Sequence, residues 1–471
     1  MTQLNSSTPK KSRRNLLKSG LTLAGTGMLS GTAPVFSASA FAADNAPMPG
    51  DIRIKPARKA LVFIMLDGGN DSFNMLVPSN NRHYQEYRNS RSNLALSQSS
   101  LLPLENRNDQ QGREFGVHPS MPEIQQLFNK QDLAFISNIA PMIEPTSKQA
   151  MNNGSAKLPL GLLSHADQFK HWQTSRPEAR INQGWFGYLS DALQPRRSDN
   201  QIPMNISLAG SNIMQNGILS SHYSITDKGS IGLIVNEQKT PLNAALLESF
   251  ETLLSTDYQH DPFKQSYLAQ TRQAQSRHQV FRDAITPVDI NTRFSDTPLS
   301  QQLKVVAGSI KAADRLNQQQ QTFFLRYIGW DHHDELLNNH QRMLQILSQA
   351  LGEFQQSLEE LGIDEQVITF TGSDFGRTLT SNGNGTDHGW GGNTLVMGKP
   401  INGGNIYGQY PSLSLGDNNP LDAGNGVLIP TTATEQLYAE LARWFGVANK
   451  DINTLFPNLY RHTQTTLNQL I

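Results

Sequence analysis

Three short apolar runs constrain this chain most, because each stops on groups that can hold a metal ion or a proton. Residues 60–66 end in Asp67-Gly68-Gly69-Asn70-Asp71-Ser72. Residues 322–329 end in Trp330-Asp331-His332-His333-Asp334. Residues 367–371 end in Gly372-Ser373-Asp374-Phe375-Gly376-Arg377, and Asp387-His388-Gly389 follows in a glycine-rich loop. Residues 60–66, a continuous apolar run, read as a strand buried on both faces, 367–371 as a short buried strand and 322–329 as a further strand. In an α/β sheet, groups leaving the carboxyl ends of strands converge on one edge, where ligands bind.

The rest of the pattern alternates with these strands. Leu336, Met343, Leu347, Leu351, Phe354 and Leu358 keep the spacing of a long amphipathic helix. A short helix over 121–130 precedes a strand over 132–139, and residues 203–208 read as another strand. Residues 394–398 read as the last core strand and 435–446 as a terminal helix. Residues 80–113 are polar and read as a surface excursion, and 141–160 as a long loop. Over 241–316 the pattern is helical, with Leu247, Phe250, Leu253 and Leu254 on one stripe, which suggests a helical excursion beside the core. The fold expected is α/β, with a mostly parallel sheet flanked by helices on both faces.

Residues 1–42 are an address rather than part of that fold. Ser12-Arg13-Arg14-Asn15-Leu16-Leu17-Lys18 matches the twin-arginine export pattern. A weakly apolar run of small residues follows, and Ala40-Phe41-Ala42 offers a cleavage site before Ala43. The expected partner is the twin-arginine export machinery, which carries folded proteins. The mature chain, 43–471, is then periplasmic or secreted, with no stable membrane span after cleavage. Thirty-nine Lys and Arg against forty Asp and Glu give no electrostatic case for binding nucleic acid. Cysteine is absent, which excludes disulfides, thiolate metal sites and cysteine nucleophiles.

Carboxylates mixed with imidazoles, without sulfur, suit Zn²⁺, Mn²⁺, Mg²⁺ or Ca²⁺. Arg377 beside Asp374 could hold anionic oxygens in a planar fork. Ser164 sits where a helix over about 165–174 begins, with Asp167 as a weak capping box. The same position, at a helix N-terminus, also suits a nucleophile acting on an anion. Ser164 is the first choice for nucleophile, and Ser72 the second.

Five stretches together resemble one family. They are Leu66-Asp67-Gly68-Gly69-Asn70-Asp71, Ser164-His165-Ala166-Asp167-Gln168, Gly329-Trp330-Asp331-His332-His333, Ser373-Asp374-Phe375-Gly376-Arg377-Thr378 and Asn384-Gly385-Thr386-Asp387-His388-Gly389. The family is a group of twin-arginine-exported bacterial proteins known as a domain of unknown function. It looks like a distant branch of the alkaline phosphatase and sulfatase superfamily. The resemblance implies a doubly wound α/β sandwich with metals at the carboxyl edge. It implies Asp71 (or Asp67), Asp331, His333, Asp374 and His388 as ligands. The sequence departs from the superfamily at Phe375, where a histidine ligand is usual, and in the spacing of Asp331 and His333, two apart rather than four. It also lacks the sulfatase nucleophile signature. These departures argue against a full two-zinc site and leave one metal or a metal-free remnant.

The function expected is an exported metal-dependent hydrolase of a small anionic ester, phosphate or sulfate. The alternative is a non-catalytic periplasmic binding or assembly protein that keeps the fold. Convergence of the named side chains separates the two.

Overall fold

Strand β1 (Lys59–Asp67) has parallel neighbours on both sides, β5 (Gln320–Ile328) and β6 (Val367–Ser373). This computed structural model describes residues 52–55, 57–193, 202–232, 240–256, 258, 260–463, 467 and 469–471. The export signal read in residues 1–42 lies outside them. Among the described residues the remaining strands of the main sheet are β2 (Leu133–Ala140), β3 (Asn205–Ser207), β4 (Tyr223–Ser224), β7 (Gly392–Met397), β8 (Ile406–Tyr407) and β9 (Thr432–Ala433). The order is β8-β2-β7-β6-β1-β5-β3-β4, with β9 also on β2. Every pairing is parallel except those of β7, which runs antiparallel to β2 and β6.

Alternation along β1 divides its side chains between two helical layers. Val62, Ile64 and Leu66 join a core with Leu303 and Val306 of α7 (Pro298–Lys311) and Leu344, Leu347 and Leu351 of α8 (Leu336–Leu361). On the other face Phe63 meets Phe324 and Phe370 at ring separations of 5.7 and 4.8 Å. Phe370 in turn meets Trp185 of α4 (Trp185–Leu193) and Tyr438 of α9 (Thr434–Phe445). The sheet is thus mostly parallel, mixed and flanked by helices, as the apolar runs require. No helix among the described residues is long and apolar enough to cross a membrane.

Several local expectations change. The segment 80–113 is not a bare surface excursion. It contains α1 (Asn81–Arg91), which buries Tyr84, Tyr87 and Arg91, and one strand of a second small sheet, Leu102–Pro103. Its polar side chains bury because they find partners: Tyr87 Oη donates to Asn74 Oδ1 at 2.8 Å. Residues 394–398 are not the last core strand, since β8 and β9 follow on the far side of β2. Two-residue strands carry no periodicity to read. In the 241–316 region, α7 belongs to the core layer, whereas α5 (Pro241–Ser255) and α6 (Pro262–Ile285) bury little. Of the stripe on α5 only Leu254 is buried and Leu253 is exposed.

The first turn of α9 carries an unused acid. Glu435 is buried, and its Oε2 has no hydrogen-bond partner. Burial pushes its pKa up to about 8, against the pull of Arg176. Between the ordinary carboxylate range and pH 8 the folded chain keeps a proton that the unfolded chain has lost. Stability therefore falls as pH rises through that window. Urea unfolding at stepped pH should show this slope in the wild type and lose much of it in Glu435→Gln. Equal slopes would assign the acid no such role.

Candidate metal centre

Parallel register brings the strand ends level. Asp67 pairs with Ile328 across β1 and β5, and Leu66 with Ser373 across β1 and β6. The following turns are stitched together by their backbones. Trp330 N–H donates to Asp67 O at 3.1 Å, and Asn70 N–H to Ser373 Oγ at 2.7 Å. Close approach is what the glycines permit: at Gly68, with φ +124°, a Cβ would lie 2.6 Å from the Asp331 nitrogen. The loop carrying His388 is zipped antiparallel onto the end of β6, with Gly389 N–H on Gly376 O at 2.8 Å and Thr378 N–H on Asp387 O at 3.0 Å.

A fourth segment arrives from another direction. Helix α3 (His165–Thr174) begins at Ser164 and delivers His165 to the same edge. Leu163, just before it, has φ +69°, a costly backbone state for a branched residue. Its carbonyl accepts the Nδ1–H of His388 at 2.8 Å. The capping box expected here does not form. Ser164 makes no side-chain cap bond, and Asp167 pairs instead with Arg180 at 2.7 and 2.9 Å.

Asp331 is the hub. Its Oδ1 lies 3.0 Å from His333 Nε2, 3.4 Å from His388 Nε2 and 2.7 Å from Arg377 Nη1. Its Oδ2 lies 3.3 Å from His165 Nε2. The Nε2 atoms of His333 and His388 are 3.0 Å apart. Burial works against the Asp331 charge, but the bond and charge of Arg377, with His165 and His333, outweigh it and lower its pKa. The hydrogen bond from His165 Nδ1 to Asp374 Oδ2, at 2.7 Å, raises the pKa of His165 despite partial burial. Burial lowers that of His388.

This donor set suits a small divalent cation. Neighbouring ligands around tetrahedral Zn²⁺ stand about 3.3 Å apart, and the separations just given fall close to that. The outer nitrogens of His165 and His388 are tied to Asp374 and Leu163, so their Nε2 atoms face inward. His165 Nε2 is buried and carries no hydrogen bond. His165, Asp331 and His388 each offer one donor atom, all within 4.8 Å of one another.

The structure thus brings Asp331, His333 and His388 together and places Asp374 behind His165. Asp71 is elsewhere. It is only 1% exposed and forms an ion pair with the buried Arg91, which removes it from the cluster. Asp67 pairs with Arg326. Arg377 is fully buried, and its donors go to Asp331, Thr386 and the Gly68 carbonyl, so no free fork faces an anion. Ser72 Oγ accepts the Asn393 N–H at 2.7 Å and ties α/β segments rather than facing the cluster's ligands. His165 is the residue that sequence reading passed over. Its signal was its place directly after the helix-starting serine, inside one of the five stretches.

The family model described as "Protein of unknown function (DUF1501)" matches residues 58–453. No curated protein sequence matches the chain. Among solved structures, the C-terminal periplasmic domain of EcEptC from Escherichia coli is similar at 10% identity and a TM-score of 0.36, over 90% of this chain and 96% of that one. The lipoteichoic acid synthase LtaP from Listeria monocytogenes is similar at 8% identity and 0.30, over 78% and 70%. A phosphonate monoester hydrolase of Agrobacterium radiobacter is similar at 10% identity and 0.29, over 84% and 74%. The family match takes in most of the chain, and the protein belongs to this family of unknown function.

Proposed function

We propose that the protein is exported through the twin-arginine machinery and hydrolyses a small phosphate or sulfate ester with one divalent cation. The observation that supports this most is the set of inward-facing Nε2 atoms around Asp331. His165, His388 and Asp331 hold the ion, and His333 lies beside Asp331 and His388. An imidazole-rich shell favours Zn²⁺ or Mn²⁺ over Mg²⁺ or Ca²⁺, which prefer oxygen. When bound, the ion supplies positive charge to a developing oxyanion and lowers the pKa of a coordinated oxygen. Arg377 orients Asp331, and Asp374 orients His165. Ser164, at the start of α3 with its hydroxyl free of a capping bond, supplies the attacking oxygen. Its bond to phosphorus or sulfur forms, with its proton passing to water, as the bond to the alcohol oxygen breaks and that oxygen takes a proton from water; a second water then attacks the seryl ester, freeing phosphate or sulfate and returning the serine hydroxyl.

Elemental analysis of the natively exported protein should find about one Zn²⁺ or Mn²⁺ per chain. Turnover of aryl phosphates or sulfates should be lost on chelation and return with the ion, and Ser164→Ala should abolish it. An ion-free protein, with no turnover that a chelator can remove, leaves the non-catalytic binding or assembly role instead.

A further inference from the structure

An imidazole held by one ring nitrogen can still pivot about that hydrogen bond. His165 and His388 are each tied at Nδ1, so a second contact must fix the plane of each ring. Phe375 makes that contact. It is 2% exposed, and its ring centroid lies 4.7 Å from that of His165 and 4.4 Å from that of His388. The two imidazoles meet each other edge-on at 4.4 Å. The phenyl ring cannot withdraw, because Gly69 backs onto it: a Cβ at Gly69 would lie 2.6 Å from a ring carbon.

We propose that Phe375 is a positioning residue for the cation site, holding the His165 and His388 rings at the angle a four-coordinate ion requires. The proposal rests on the one-ion reading above. The phenyl adds no donor atom of its own, so it also keeps oxygen ligands from joining on its side. That holds the coordination number low and disfavours ions that need six oxygens. Side chains that orient metal ligands typically account for roughly 10–100-fold in metal affinity.

The test is a Co²⁺ titration of the full mature chain, read by its visible absorption, which is intense for four-coordinate and weak for six-coordinate Co²⁺. Phe375→Leu is compared with wild type and with Phe128→Leu. Phe128 is as fully buried, but it lies at the end of α2 (Pro122–Asn129), beside the start of β2 on the opposite sheet edge. Phe375→Leu should bind Co²⁺ about tenfold or more weakly and lose band intensity, while Phe128→Leu matches wild type. If Phe375→Leu does not fold, Phe375→Met is read in its place. An unchanged band and affinity in the Phe375 variant overturns the proposal, and so does equal weakening in both variants. Failure of the wild type to take up Co²⁺ instead sinks the one-ion reading itself.

Discussion

Asp331→Ala is expected to lower ester turnover more than about 100-fold and to abolish stoichiometric ion uptake, since even partners one layer behind a ligand cost roughly 10–100-fold. Asp331 touches all three imidazoles and the buried guanidinium of Arg377. Removing it takes away the charge that offsets the ion and leaves an Arg377 N–H without its acceptor. Asp331→Asn separates these two effects. The amide oxygen can still accept from Arg377, but the charge is gone, so the fold should hold while ion affinity falls. Ion content and turnover measured on both variants decide the matter. Full ion content in Asp331→Asn would mean that the imidazoles suffice and that Asp331 is only a scaffold.

Arg91→Met is expected to destabilise the fold by about 3–5 kcal/mol, the usual cost of leaving one partner of a buried pair behind. The side chains of Arg91 and Asp71 are 0% and 1% exposed. Arg91 also donates to Asn74 Oδ1 at 3.2 Å and to the carbonyls of Thr378 and Leu379 at 2.9 and 3.2 Å. Burial already raises the pKa of Asp71, opposed mainly by the charge of Arg91. Without Arg91 the acid takes up a proton more readily in the folded state. The loss should therefore be smaller near pH 4 than at pH 7. Arg91→Met with Asp71→Leu should regain most of it, because neither charge is then buried alone. Denaturant unfolding of the two variants checks this. A single-variant loss below about 1 kcal/mol would place the pair among those worth little.

The same pair holds Asp71, an expected ligand, apart from the cluster. Asp71 looks like Asp331 in sequence: an acid just past a buried strand. Its fate depends on Arg91, which sits in a polar segment whose composition reads as a surface excursion. His165 was passed over for the converse reason. Its place after the helix-starting Ser164 marks only a helix start, and its delivery to the edge depends on a loop at Leu163 whose positive φ no residue pattern announces. By contrast, Asp331 and His333 stand out because they follow a strand directly, and His388 because it forms an Asp-His pair in a glycine-rich loop. The reversed direction of β7 is likewise invisible in its residues, since alternation and burial are the same for either direction of pairing.

The buried strands, the long helix after β5 and the edge at which polar groups emerge are legible in the chain alone. Each of these rests on hydrophobic spacing, which is a property of neighbours in the chain. Folding settles which acid at that edge is held by arginine alone, as Asp71 is by Arg91, and which also faces imidazoles, as Asp331 does while bonded to Arg377. A buried charge takes its role from whatever shares its low-dielectric surroundings, and those partners come from segments 20 to 287 residues away.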